Sequence, residues 1–115
     1  MLAEISFIPV GGNSHISEDV AEAVKVIAES GLAYQLTPTA TCIEGEWDQV
    51  METIGKARKK MLDKNSHLIT MIKMEDDADE HNKLQSNMES ISEKMGSKSQ
   101  TYEEKPPEAL VTPKV

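Results

Sequence analysis

Residues 34–54, YQLTPTATCIEGEWDQVMETI, decide how this chain folds. Two β-prone runs, residues 32–37 and 39–44, flank Pro38. Thr, Tyr and Ile suit a half-buried pleated surface, and a Pro inside one strand leaves a ladder bond unmade. The stretch therefore predicts two strands with a break near Pro38. A Glu44-Gly45-Glu46-Trp47 corner follows. Gly45 accepts backbone angles closed to other residues, and acids at Glu46 and Asp48 suit the positive end of a helix. Apolar side chains then recur at Trp47, Val50, Met51, Ile54, Ala57, Met61 and Leu62, the spacing of one buried helical face.

Upstream, residues 2–10 read as a first strand, with Ile5 and Phe7 on one face and Ser6, Ile8 and Val10 on the other. A Gly11-Gly12-Asn13-Ser14 turn leads to a first helix, with Ser17 placed as its N-cap. Glu18 and Asp19 suit its first turn. Val20, Ala23, Val24, Ile27 and Ala28 form its buried stripe, and Gly31 stops it. Downstream, residues 67–74 alternate as a fourth strand. An acidic run, residues 75–80, then leads to a third helix over residues 79–95, with Leu84, Met88, Ile91 and Met95 in one apolar line ended by Gly96. Residues 96–115, with three of the five prolines, read as a flexible tail beyond a single domain of residues 1–95.

Charge narrows the function. Residues 1–74 carry seven Lys/Arg against ten Asp/Glu, and residues 75–95 carry two against seven. So acidic a chain repels a phosphate backbone, which argues against nucleic acid as a partner. Lys56, Arg58, Lys59 and Lys60 read as cations near the negative end of the second helix. No run approaches the roughly 20 apolar residues of a membrane span, and the single Cys42 fits a cytoplasmic chain without internal disulfides. The acidic run lacks the central Gly and alternating pattern of a calcium loop. His15, His67 and His81 share no metal-ligand spacing, and no nucleophile elbow, phosphate loop or zinc pattern occurs. The expectation is a protein without catalytic residues, metal or cofactor.

The order strand, helix, strand, strand, helix, strand, with one additional C-terminal helix, predicts an α+β ferredoxin-like βαββαβ sandwich. Apolar residues on both sides of the first and fourth strands ask for cover on the sheet's second face, and a symmetric subunit contact supplies it.

The segments Phe7-Ile8-Pro9-Val10-Gly11 and Tyr34-(x3)-Pro38-(x2)-Thr41-(x2)-Glu44-Gly45-Glu46-Trp47-Asp48 resemble the small thiamine-binding proteins. That resemblance spans roughly residues 2–95. It implies a ferredoxin-like domain that binds thiamine or its hydroxymethylpyrimidine half, assembled as a homodimer or homotetramer by sheet packing. Gly12 and Cys42 depart from it, Gly12 standing where relatives often carry Thr and Cys42 where some carry a second Thr. On the resemblance, three residues become candidates for ligand contact. Thr41 offers a hydroxyl that donates and accepts. Glu44 offers a carboxylate for an exocyclic amine or a thiazolium cation. Ser14 completes a polar lining. Glu46 has a local reason as a helix-start charge, and Glu44 has none visible in the sequence. The alternative reading is a structural or regulatory oligomerisation protein that retains no small-molecule ligand.

Overall fold

The computed structural model describes residues 1–11, 16–79 and 82–96. Among the described residues, seven elements follow one another: β1 (Leu2–Pro9), α1 (Ile16–Glu29), β2 (Ala33–Leu36), β3 (Thr41–Glu44), α2 (Trp47–Lys64), β4 (Leu68–Glu75) and α3 (Lys83–Met95). The strands form one antiparallel sheet in the order β2-β3-β1-β4. This is the α+β ferredoxin-like arrangement expected from the element order.

Alternation along the strands sorts the two faces. Ala3, Ile5, Tyr34, Thr41 and Ile43 are buried on the face that meets α1 and α2. Ala23 and Ile27 of α1 and Val50, Ile54, Ala57 and Met61 of α2 close that core. Of the stripe expected on α2, Trp47 and Leu62 fall outside the core. Leu62 lies roughly 120° round the helix from Val50. Trp47, at the first helical position, is 55% exposed.

Pro38 sits in a tight hairpin turn. Thr37 N–H donates to Ala40 O at 2.8 Å, and the Thr37 hydroxyl donates to the same oxygen at 2.7 Å while accepting from Ala40 N–H at 3.0 Å. The turn takes residues 37–40 out of the ladder, so β2 and β3 are shorter than the β-prone runs. Pro9 is tolerated at the end of a central strand because β3 pairs β1 only as far as Ile5↔Thr41. Its missing N–H therefore breaks no bond to β3.

The helix ends differ from the sequence reading in two places. Helix α1 begins at Ile16, which puts Ser17 inside its first turn instead of at the cap. Helix α3 begins at Lys83, four residues later than expected. Its N-cap, Asn82, holds a left-handed conformation and makes no side-chain cap bond. Gly31 and Gly96 both adopt positive φ at helix ends, as the stops require. The proposed tail beyond Gly96 lies outside the described residues.

Candidate functional site

Strand directions bring the loops to two ends of the sheet. One end carries the exit of β1, the start of α1, the Thr37–Ala40 turn and the α2–β4 connection. Thr41 lies at this end, on the helix-facing side, and is 7% exposed. At the same end, a buried polar pair ties α1 to the end of α2. Asn65, the C-cap of α2, donates from Nδ2 to Asp19 Oδ2 at 3.1 Å and to Met61 O at 2.9 Å. Asp19 is itself buried in the first turn of α1, so its role exceeds a helix-dipole charge. Lys64 reinforces the same end through Glu22 at 2.9 Å. That bond raises the ammonium pKa above the ordinary lysine value. Ser14, the third candidate, lies outside the described residues.

Glu44 occupies the opposite end. Being three residues from Thr41 on one strand, it points to the other face of the sheet. The structure therefore does not bring Thr41 and Glu44 into one site. The Glu44 carboxylate accepts from the backbone N–H of Lys83 at 2.6 Å and of Leu84 at 3.3 Å. It caps α3 from a distant strand, satisfying N–H groups that Asn82 leaves unmet. Glu44 thus has a structural reason that the sequence did not reveal. Beside it, Lys83 Nζ reaches Asp77 at 3.0 Å and Glu75 at 3.4 Å, which ties the acidic run to the same turn. Glu46 is the exposed N-cap of α2 and makes no side-chain cap bond.

Helix α3 therefore covers the β2–β3 side of the second face. Leu84 is its buried residue, Met88 is half-buried, and Ile91 and Met95 are exposed, so the apolar line packs only in its first part. Across that face runs a polar row set by register: Gln35 beside Cys42, Cys42 beside Glu4, Glu4 beside Lys73. Gln35 Oε1 is buried with no hydrogen-bond partner among the described residues. Burial pushes the Cys42 thiol pKa up, Glu4 pushes it the same way, and Lys73 opposes both. This row became legible only once register aligned the strands. Alternation alone places each residue on a face but not beside its neighbour.

Two depressions border these elements. One, of about 190 Å³, lies at the Glu44 end and is lined by Leu2, Ala33, Glu46, Glu75 and Asp77 among others. The larger, about 710 Å³, lies between α1 and α2 and mixes Lys56, Lys59 and Lys60 with Glu29, Glu52 and Asp63. Among the described residues, no three His, Cys, Asp or Glu side chains converge as metal ligands. No described helix is long and apolar enough to cross a membrane.

A four-stranded antiparallel sheet with two helices on one face and a capped third helix on the other defines a small ferredoxin-like domain. The family model described as thiamine-binding protein matches residues 3–92. The chain belongs to the thiamine-binding protein family. It is 32% identical over 96 residues to YqgV of Bacillus subtilis, covering 78% of this chain and 92% of that one. It is 24% identical over 93 residues to protein MJ1052 of Methanocaldococcus jannaschii, covering 81% of this chain and 93% of the relative. The crystal structure of MJ1052 superposes with a TM-score of 0.72 over 80% of this chain and 95% of its own. A Thermotoga maritima structure described as a candidate thiamine biosynthesis/salvage protein superposes at 0.70, with 16% identity, over 78% of this chain and 96% of its own. At these identities the two superpositions speak for the fold.

Proposed function

We propose that this chain binds thiamine or its hydroxymethylpyrimidine half without converting it, and does so as a cytoplasmic homo-oligomer. The observation that carries the reading is the family match across residues 3–92, the whole of the sandwich. Thr41 supports it: a near-buried hydroxyl on the helix-facing side, at the sheet end where β1 finishes and α1 starts. A hydroxyl both donates and accepts, which matches the alternating donors and acceptors of an aminopyrimidine edge. The net charge of −8 suits a ligand whose thiazolium is permanently positive. Glu44, engaged with α3, contributes to this site only if α3 releases it. Recognition by the pyrimidine end therefore rests on Thr41 and Ser14.

Calorimetric titration with thiamine, and separately with hydroxymethylpyrimidine, tests the proposal. Ligand at one hundred times its Kd stabilises the fold by about 2.7 kcal/mol, so a thermal shift accompanies the heat. Absence of both heat and shift at millimolar ligand contradicts it. One observation favours the second reading, an oligomerisation protein without a ligand: exposed apolar residues on the second face, Ile8, Ile69 and Met71. That reading predicts a stable oligomer indifferent to both compounds.

A further inference from the structure

Helix α3 is gripped at one end. Its first turn meets the Glu44 carboxylate through the N–H groups of Lys83 and Leu84, and Lys83 Nζ reaches Asp77 and Glu75. Asn82 turns the chain into the helix with a φ of 63°, a left-handed conformation that Asn tolerates, and its side chain makes no cap bond. Past that turn the grip fades. Leu84 is buried, Met88 is half-buried, and Ile91 and Met95 are 50% and 60% exposed. A 13-residue helix is marginal in water without packing, so α3 depends on the hold at its start.

What lies beneath it is polar. α3 packs on β2 and β3, and register puts Gln35 beside Cys42 and Ala33 beside Glu44 on the face it covers. Among the described residues, Gln35 Oε1 is the one side-chain polar atom buried without a hydrogen-bond partner. A buried acceptor without a donor has lost the hydrogen bonds it makes to water. When α3 lifts, Oε1 regains them. The seat of α3 therefore joins an attraction at Glu44 to a penalty at Gln35, on the same half of the same face.

We infer that α3 is a cover poised to open: Glu44 latches it, Gln35 keeps the latch weak, and the helix leaves the sheet as a unit while the sandwich stays folded. The sandwich does not need it. The buried cluster draws on β1, β2, β3, α1 and α2, and no α3 residue belongs to it. The open form bares Gln35, Cys42 and Glu44 together, and in that form the Glu44 carboxylate is free to meet a cation from solution. The closed form is thus autoinhibitory for that carboxylate, because two backbone N–H groups of the chain itself occupy it. The device holds whether or not the chain binds thiamine, because its test uses no ligand.

Native-state proteolysis of the full chain reads the opening. Trypsin cuts after Lys83 when the start of α3 unfolds locally, and after Lys25 in α1 or Arg58 in α2 when the sandwich itself opens. With opening and closing fast relative to cleavage, each rate follows the population of its open form. Cleavage after Lys83, identified by mass, should outpace cleavage after Lys25 and Arg58 in the wild type. Glu44→Ala should speed it by about tenfold or more. Gln35→Met removes the orphan acceptor and should slow it by about fivefold or more, with Gln35→Leu as a second variant of different shape. The opposite signs distinguish a poised cover from a helix that only adds stability, for which both substitutions raise the rate. Slowing in either Gln35 variant, with the Lys25 and Arg58 rates unchanged, supports the proposal. Cleavage after Lys83 no faster than at the two sandwich sites, or a rate that neither Gln35 variant lowers, overturns it.

Discussion

Replacing Glu44 with Ala removes both acceptors that hold the first turn of α3 to the end of β3. One bond is short, 2.6 Å from Lys83 N, and one is long, 3.3 Å from Leu84 N. Hydrogen bonds to a charged group contribute about 1.5–3 kcal/mol, and loss of an N-cap acceptor costs about 0.5–2 kcal/mol. Because the second bond is stretched, about 2 kcal/mol is a fair figure for the pair. The loss falls on α3 and spares the core, since α3 buries only Leu84 and that residue lies outside the main cluster. A 2 kcal/mol change multiplies a local opening equilibrium by up to about 30. Native-state hydrogen exchange should therefore show the amides of α3 losing protection by up to that factor, while those of α2 and β1 keep theirs. Glu46→Ala is the matched control. Glu46 is exposed and makes no side-chain cap bond, so it should leave α3 untouched. Equal loss of protection through the whole sandwich, or none in α3, would refute the reasoning. Loss of thiamine affinity with α3 protection intact would return Glu44 to the ligand.

Asn65→Ala removes the donor to buried Asp19 and to Met61 O, and should lower stability by about 1–3 kcal/mol in urea titration; an unchanged midpoint contradicts the link between α1 and α2. Trp47→Ala should alter stability by less than about 0.5 kcal/mol, the surface range, where a core Trp would cost about 3–5 kcal/mol. Its fluorescence maximum should lie at the wavelength of a wet indole, and a blue-shifted maximum would contradict its exposure. Cys42 carries a pH signature whose sign follows from its raised pKa. The unfolded thiol ionises first, at about pH 8.5, so stability is unaffected below that value and falls as pH rises above it. Urea melts at about pH 7.5 and 9.5 should show a larger loss for the wild type than for Cys42→Ser, and equal losses would contradict the burial of the thiol.

Periodicity carried most of the architecture because the signals there are local. The stripes of α1 and α2, the turn at Pro38 and the stops at Gly31 and Gly96 each depend on residues a few positions apart. What stayed hidden depends on pairs far apart in the chain. Asp19 and Asn65 are 46 residues apart and Glu44 and Lys83 39 apart, so the sequence showed a helix-start charge and an idle carboxylate where the fold has two tethers. Trp47 failed for another reason: it matches the helical period, but the core does not extend to the end of the helix on which it sits. Of the candidate site, Thr41 was readable as the residue three positions before a Glu-Gly corner on a β-prone run, and its burial followed from alternation with Ile43. That Glu44 must then face away from it follows from the same alternation, and the resemblance had grouped the two by motif instead of by face.

Equilibrium dialysis of the purified chain against labelled thiamine, with the retained compound analysed by mass spectrometry, tests the central claim most directly. The account predicts saturable retention approaching one thiamine per chain, recovered chemically unchanged, and weakened by about 0.5–1.5 kcal/mol in Thr41→Val, the range for one uncharged hydrogen bond. Retention no greater than in a protein-free compartment, or recovery of a cleaved pyrimidine or thiazole product, would contradict it.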